Sequence, residues 1–247
     1  MNGIMKLRSS IEMRNDHSRD TFGERVIRFF DTLEKPKNLP SDIEIVYPYK
    51  ENNVKQVVNN FYNTFFKDHK KRVFVMGINP GRFGSGVTGI PFTDPLTLER
   101  QCGINNLFNK KRELSSEFIY KLIDVYGGPK KFYADFFLSA VSPLGLMRAG
   151  KNYNYYDDPN TYKKLQPFII ETLEKQKEFG AKATVILFGS GKNQKFFSDL
   201  NNEHNFFNTV LTLEHPRYIM QYKRKNIDTY LDKYIDVFSQ ALKSATR

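Results

Sequence analysis

Four short, nearly unbroken apolar runs stand out along the chain: Arg72 to Ile78, Phe136 to Val141, Ala183 to Gly189 and Thr209 to Leu213. Runs of this length, rich in Val, Ile, Leu and Phe, suit strands buried on both faces and are too short for amphipathic helices. Around them the apolar residues recur at three- and four-residue intervals, which predicts helices over 22–33, 54–66, 115–125, 161–179, 192–200 and 226–242. Strands that alternate with helices predict a parallel sheet covered on both faces. The expected architecture is a three-layer α/β/α sandwich around a central four-stranded parallel sheet, one domain spanning 1–247. Residues 1–20 are polar and mixed in charge, and are expected to be flexible.

In a sheet of this kind ligands bind just beyond the carboxyl ends of the strands. Three segments leave those ends with unusual chemistry: 77–92, 139–144 and 214–217. The first is the most informative stretch of the chain. Gly77-Ile78-Asn79-Pro80-Gly81-Arg82-Phe83-Gly84-Ser85-Gly86-Val87-Thr88-Gly89-Ile90-Pro91-Phe92 gathers five glycines and two prolines around one Asn, one Thr and two Phe. Such density predicts a pocket wall whose backbone must approach a flat ligand closely, because glycine removes the Cβ that would block the approach.

Charge narrows the ligand. The 247-residue chain carries a formal charge of +11. Basic clusters recur at 67–72, 110–112, 130–131 and 223–225, a balance that points to a polyanionic partner such as nucleic acid. The single cysteine, Cys102, excludes an internal disulfide, and the four histidines lack ligand-type spacing, so no metal is expected. No apolar run approaches the ~18 residues of a spanning helix, and the N-terminus lacks the apolar core of a secretory signal. The expectation is a cytoplasmic, nucleoid-associated protein without membrane contact.

Two motif readings fail on inspection. Gly189-Ser190-Gly191-Lys192 lacks the earlier glycine of a phosphate-binding loop, Ile186 standing in its place, and Asn193 replaces the Ser or Thr. Asp94-Pro95 reads as a helix N-cap followed by proline at the first helical position, rather than as a catalytic base.

Gly-Ile-Asn-Pro-Gly at 77–81 followed by Thr-Gly-Ile-Pro-Phe at 88–92, with His215-Pro216-Arg217 leaving the last strand, resembles the motifs of the uracil-DNA glycosylase superfamily, and in detail its single-strand-selective monofunctional (SMUG-type) branch, as a divergent bacterial-like member. The resemblance runs from about residue 71 to 225. It implies a monofunctional enzyme that hydrolyses the N-glycosidic bond of uracil or a related deaminated base in single- or double-stranded DNA, initiating base excision repair as a monomer without a cofactor. It also implies roles. Asn79 orients the attacking water, His215 stabilises the departing base, and Phe92 stacks on the flipped base. Gly77, Gly81, Ser85 and Pro91 line the base pocket, Gly81 and Ser85 near the edge where a bound water disfavours the thymine methyl. Arg217, Lys223, Arg224 and Lys225 contact DNA.

One position departs from the branch. An Asn that reads the pairing edge of uracil is usual after the second strand, and here the equivalent place holds Ser139 or Ala140. A hydroxyl both donates and accepts, so a base range extending to xanthine or hypoxanthine is expected, with Ser139 as the reader. The alternative is a glycosylase-like module that binds DNA or nucleotides with little or no catalysis.

Overall fold

The computed structural model describes residues 20–244; the expectation of a flexible start falls outside those residues except at Asp20. The central sheet has the strand order β3-β2-β6-β7 and is parallel throughout, formed by β2 (Arg72–Gly77), β3 (Phe136–Ala140), β6 (Ala181–Phe188) and β7 (Thr209–Leu213). Every residue of β2 and β3 is buried, as central strands covered on both faces require.

Helices α1 (Phe22–Thr32), α2 (Asn52–Phe65), α5 (Leu114–Tyr126), α7 (Pro159–Lys177), α8 (Lys192–His204) and α10 (Ile227–Ser244) match the helices predicted from the periodicity to within a few residues. Their ends carry the expected signals. Thr21 and Glu24 form a capping box on α1. Asp158 caps α7 ahead of Pro159, and Gly127 closes α5 in the left-handed conformation. Phe22, Phe66, Phe74, Phe137 and Phe179 pack ring to ring on one face of the sheet. The guanidinium of Arg72, fully buried, enters this cluster. It lies 4.6 Å from the Phe22 ring centre and 4.8 Å from that of Phe66, and it bonds Asp68 and the Tyr133 carbonyl.

A second sheet escapes the sequence reading. β1 (Ile43–Val46) pairs antiparallel with β4 (Gly145–Arg148), and β4 with β5 (Lys151–Tyr153). These strands are short and partly exposed, so they carry too few alternating positions to register as a pattern. The short helices α3 (Ser85–Thr88), α4 (Pro95–Arg100), α6 (Pro129–Asp135) and α9 (Pro216–Tyr222) escape it for the same reason, although the Asp94 cap that starts α4 is as expected: its side chain accepts from Thr97 N at 2.8 Å. Among the described residues no helix is long and apolar enough to cross a membrane.

Candidate active site

The carboxyl ends of β2, β3 and β7 open into a cleft of about 590 Å³. The register of the central sheet brings this about: Gly77 lies opposite Ala140, and Met76 opposite Ser139, so the loops leaving these strands start at one level. Asn79, Phe92, Gly77, Gly81, Ser85, Pro91, Ser139, His215 and Arg217 all line the cleft. Three segments far apart in sequence thus meet in one place.

The glycine-rich loop is shaped around one ring. Phe92 adopts φ +55°, the left-handed region that non-glycine residues rarely enter, at a cost of about 1–3 kcal/mol. This turn lays its ring against Gly77, where an added Cβ would stand 2.5 Å from Phe92 Cζ. Gly77 therefore makes room for Phe92. The ring also meets Phe188 edge-on at 5.5 Å and lies 6.1 Å from the His215 ring.

Asn79 is held by the hairpin of the small sheet. Its Nδ2 donates to the Tyr153 carbonyl at 3.1 Å, and its Oδ1 accepts from the Tyr155 N–H at 3.4 Å. The two partners settle the amide orientation, because a carbonyl only accepts and an N–H only donates. One lone pair on Oδ1 remains free to accept from a water.

His215 serves as the N-cap of α9, and its Nδ1 accepts from the Arg217 N–H at 3.2 Å. Burial first, and the Arg217 charge second, hold its pKa down at about 4. The ring is therefore neutral at physiological pH. With Nδ1 occupied as an acceptor, the single ring proton sits on Nε2, which makes that nitrogen a hydrogen-bond donor.

The phosphate-contact candidates divide. Arg217 is exposed and lines the cleft. Lys223, Arg224 and Lys225 lie in the exposed turn after α9, away from the cleft lining, and Arg224 bonds Glu117 at 2.7 Å. The segment after Arg217 continues the helix α9: Ile219 and Met220 are buried in the core, while Tyr218 and Tyr222 face outward. The cleft rim is basic and aromatic. Arg82 lies 4.5 Å from the centre of the Phe83 ring and Lys111 3.8 Å from it, and Lys151, Tyr218 and Tyr222 continue the rim.

Asn152 and Glu113 are among the lining residues not expected from sequence. Asn152, on β5, accepts the Arg82 N–H at 3.2 Å. Glu113, the N-cap of α5, reaches into the cleft past the glycine-rich loop. A Cβ on Gly84 would stand 1.8 Å from its Oε2, and one on Gly81 3.0 Å from its Oε1. Burial, then the neighbouring Asp94 charge, raise the Glu113 carboxyl to about 7 against an opposing pull from Arg217. In sequence it follows a basic run and reads as an ordinary surface Glu. Only the notch left by Gly84 marks it, and that notch exists only in the folded chain.

This shift has a stability consequence. The folded chain keeps the Glu113 proton up to about pH 7, whereas the unfolded chain releases it near 4.5. The folded state thus binds more protons across that window, and stability falls as pH rises through it. Glu113→Gln, which cannot ionise, is expected to be more stable than the parent by about 1–3 kcal/mol at pH 8 and nearly equal to it at pH 4. Thermal unfolding at the two pH values checks this; equal gains at both would exclude burial of the carboxylate as the cause.

Residues 64–239 match the family described as the Uracil DNA glycosylase superfamily. Among solved structures the chain is similar to that of wild-type SMUG2 from Pedobacter heparinus, with 42% identity and a TM-score of 0.86 over 89% of this chain and 97% of that one. No match was found among curated proteins.

Proposed function

The chain belongs to the uracil DNA glycosylase superfamily, and from that premise we propose that its cleft takes one deaminated base, uracil foremost, turned out of the DNA stack. The protein is a SMUG-type DNA glycosylase, a hydrolase of N-glycosidic bonds whose partner is DNA.

The observation that carries the assignment of roles is the convergence of Asn79, Phe92 and His215 on one cleft, with the amide and the imidazole each held in a single orientation. Phe92 stacks on the extruded base, an interaction worth roughly 1–3 kcal/mol. Asn79 Oδ1 accepts a hydrogen bond from the attacking water and aims it at C1′ of the sugar. An amide is too weak a base to deprotonate that water, so the bond to the base must break largely before attack. His215 Nε2–H donates to the base oxygen on which negative charge collects. The oriented donor costs no reorganisation when that charge appears. Gly81 and Ser85 back the base edge that thymine would crowd with its methyl group. Arg217, Arg82 and Lys111 at the rim, with Phe83 between the latter two, hold the phosphates on either side, contacts that position rather than specify. Lys223, Arg224 and Lys225 extend that track outward.

Ser139 in place of the usual Asn supports a wider base range than uracil, taking in xanthine and hypoxanthine. The test is a set of oligonucleotides carrying one uracil, xanthine or hypoxanthine, incubated with the protein and treated with alkali to cleave at abasic sites. Scission at uracil, with slower scission at xanthine and hypoxanthine, is the expected result. Scission at uracil alone would remove the wider range, and none at any base would leave the cleft a binding site without catalysis.

A further inference from the structure

Behind the cleft lies a polar pair in otherwise apolar surroundings. Gln176, in the last turn of α7, is buried, as is Ser139 at the end of β3. Gln176 Nε2 donates to the Ala140 carbonyl at 3.3 Å, and the Ser139 hydroxyl donates to Gln176 Oε1. Chemistry dictates the direction of this chain. A backbone carbonyl only accepts, so the amide nitrogen must face Ala140. That turns Oε1 toward Ser139, and an amide oxygen only accepts, so the hydroxyl hydrogen must point at Gln176. Ser139, which lines the cleft, then has only lone pairs to offer there. A free serine hydroxyl rotates to suit either a donor or an acceptor, whereas this one is fixed as an acceptor.

We propose that Gln176 is a positioning residue that makes Ser139 an acceptor-only reader of the base, so that the pocket favours bases with an N–H at the centre of their pairing edge and disfavours bases with a lone pair there. The proposal rests on the glycosylase reading of the cleft and extends it to how damage is told from the normal base. Deamination replaces the exocyclic amino group with an oxo group and puts a hydrogen on the adjoining ring nitrogen: cytosine N3 and adenine N1 carry lone pairs, while uracil N3 and hypoxanthine N1 carry hydrogen. Opposite a cytosine, the Ser139 lone pairs would meet another lone pair in a site where the hydroxyl cannot turn. Guanine and xanthine both carry N1–H, so this contact does not separate them. A site built to bond a polar hydrogen discriminates strongly against an analogue lacking it, since its own buried group is left unpaired, and the bond to Gln176 sharpens the acceptor.

The decisive measurement blocks one hydrogen of the base and leaves the protein intact. Duplexes carry 2′-fluoro-2′-deoxyuridine, which resists hydrolysis, or its N3-methyl analogue, in which a methyl group replaces the N3 hydrogen and both carbonyls stay as they are. The wild-type protein is expected to bind the first about tenfold more tightly, and Ser139→Ala to bind the two equally. Gln176→Leu frees the hydroxyl to rotate. It is expected to bind a 2′-fluoro-2′-deoxycytidine duplex about tenfold better than wild type does, a gain that a merely structural role for Gln176 would not produce. Equal binding of uracil and N3-methyluracil by the wild type overturns the proposal. So does a Gln176→Leu protein, folded by thermal melt, that weakens toward uracil and cytosine alike. Should that variant not fold, the wild-type comparison still decides. Failure of the glycosylase reading itself shows separately, as no release of uracil from ordinary deoxyuridine DNA.

Discussion

Replacing His215 with Ala is expected to slow uracil release by about 10²–10³-fold under single-turnover conditions, while affinity for uracil-containing DNA stays nearly unchanged. The reason is where the interaction is made. On the proposed reading the imidazole Nε2–H meets an oxygen that is a weak acceptor in the intact nucleotide and becomes a strong one only as the glycosidic bond breaks, so its loss falls on the transition state rather than on binding. The ring is neutral, with its pKa lowered to about 4, so the donor is present well below pH 6.5, and the wild-type rate is expected to show no histidine step near that pH. The sign for stability is the reverse of that for Glu113. The unfolded imidazole takes up its proton near 6.5 and the folded one only near 4; stability is therefore full above 6.5 and lost as pH falls toward 4. His215→Asn provides the control, because its side-chain oxygen can still accept from Arg217 N and cap α9. A His215→Ala protein that retains wild-type single-turnover rates would remove His215 from the chemistry.

Asn79→Asp is expected to release uracil about 10²-fold more slowly than wild type at pH 7.5, even though a carboxylate is the stronger base. The site is built for an amide. Nδ2 of Asn79 donates to the Tyr153 carbonyl at 3.1 Å, and in the Asp variant a carboxylate oxygen would face that carbonyl oxygen with no proton between them. The side chain must then turn away or take up a proton, and either outcome misplaces the acceptor that aims the water. The same repulsion makes the variant lose more stability at pH 8 than at pH 5, where protonation restores a donor toward Tyr153. Single-turnover rates and melts at the two pH values test both statements together. A variant faster than wild type would mean that the Tyr153 contact does not govern the orientation of residue 79.

Legibility in the sequence followed the reach of the interactions. The four strands of the central sheet and the six long helices are visible as apolar periodicity, because each repeats its own pattern over enough positions to stand above noise. The Asp94 cap was readable for a related reason: the residues that make it, Asp94, Pro95 and Thr97, are neighbours in the chain. The small antiparallel sheet was not readable. Its strands draw their order from pairing between Ile43–Val46 and Gly145–Arg148, segments with no visible signal of their own, yet its hairpin holds Asn79 and lends Asn152 to the cleft wall. The segment after Arg217 carries no periodicity long enough to predict a helix, yet Ile219 and Met220 pack into the core and draw it into one.

The sequence alone determined that a close-fitting pocket follows the first central strand, because the glycine spacing around Asn79 and Phe92 is local text, and the motifs that resemble the uracil-DNA glycosylase superfamily mark Asn79, Phe92 and the distant His215 as the residues to watch. Folding decided how those residues are held. The tautomer of His215, the amide direction of Asn79, the left-handed turn that seats Phe92 over Gly77, the carboxyl of Glu113 in the Gly84 notch and the bond from Ser139 to Gln176 each depend on groups brought together across the fold. Proton positions and side-chain directions are set by whichever donor or acceptor stands opposite, and for most of these groups that partner is chosen by sheet register and helix packing rather than by the neighbouring residues of the chain.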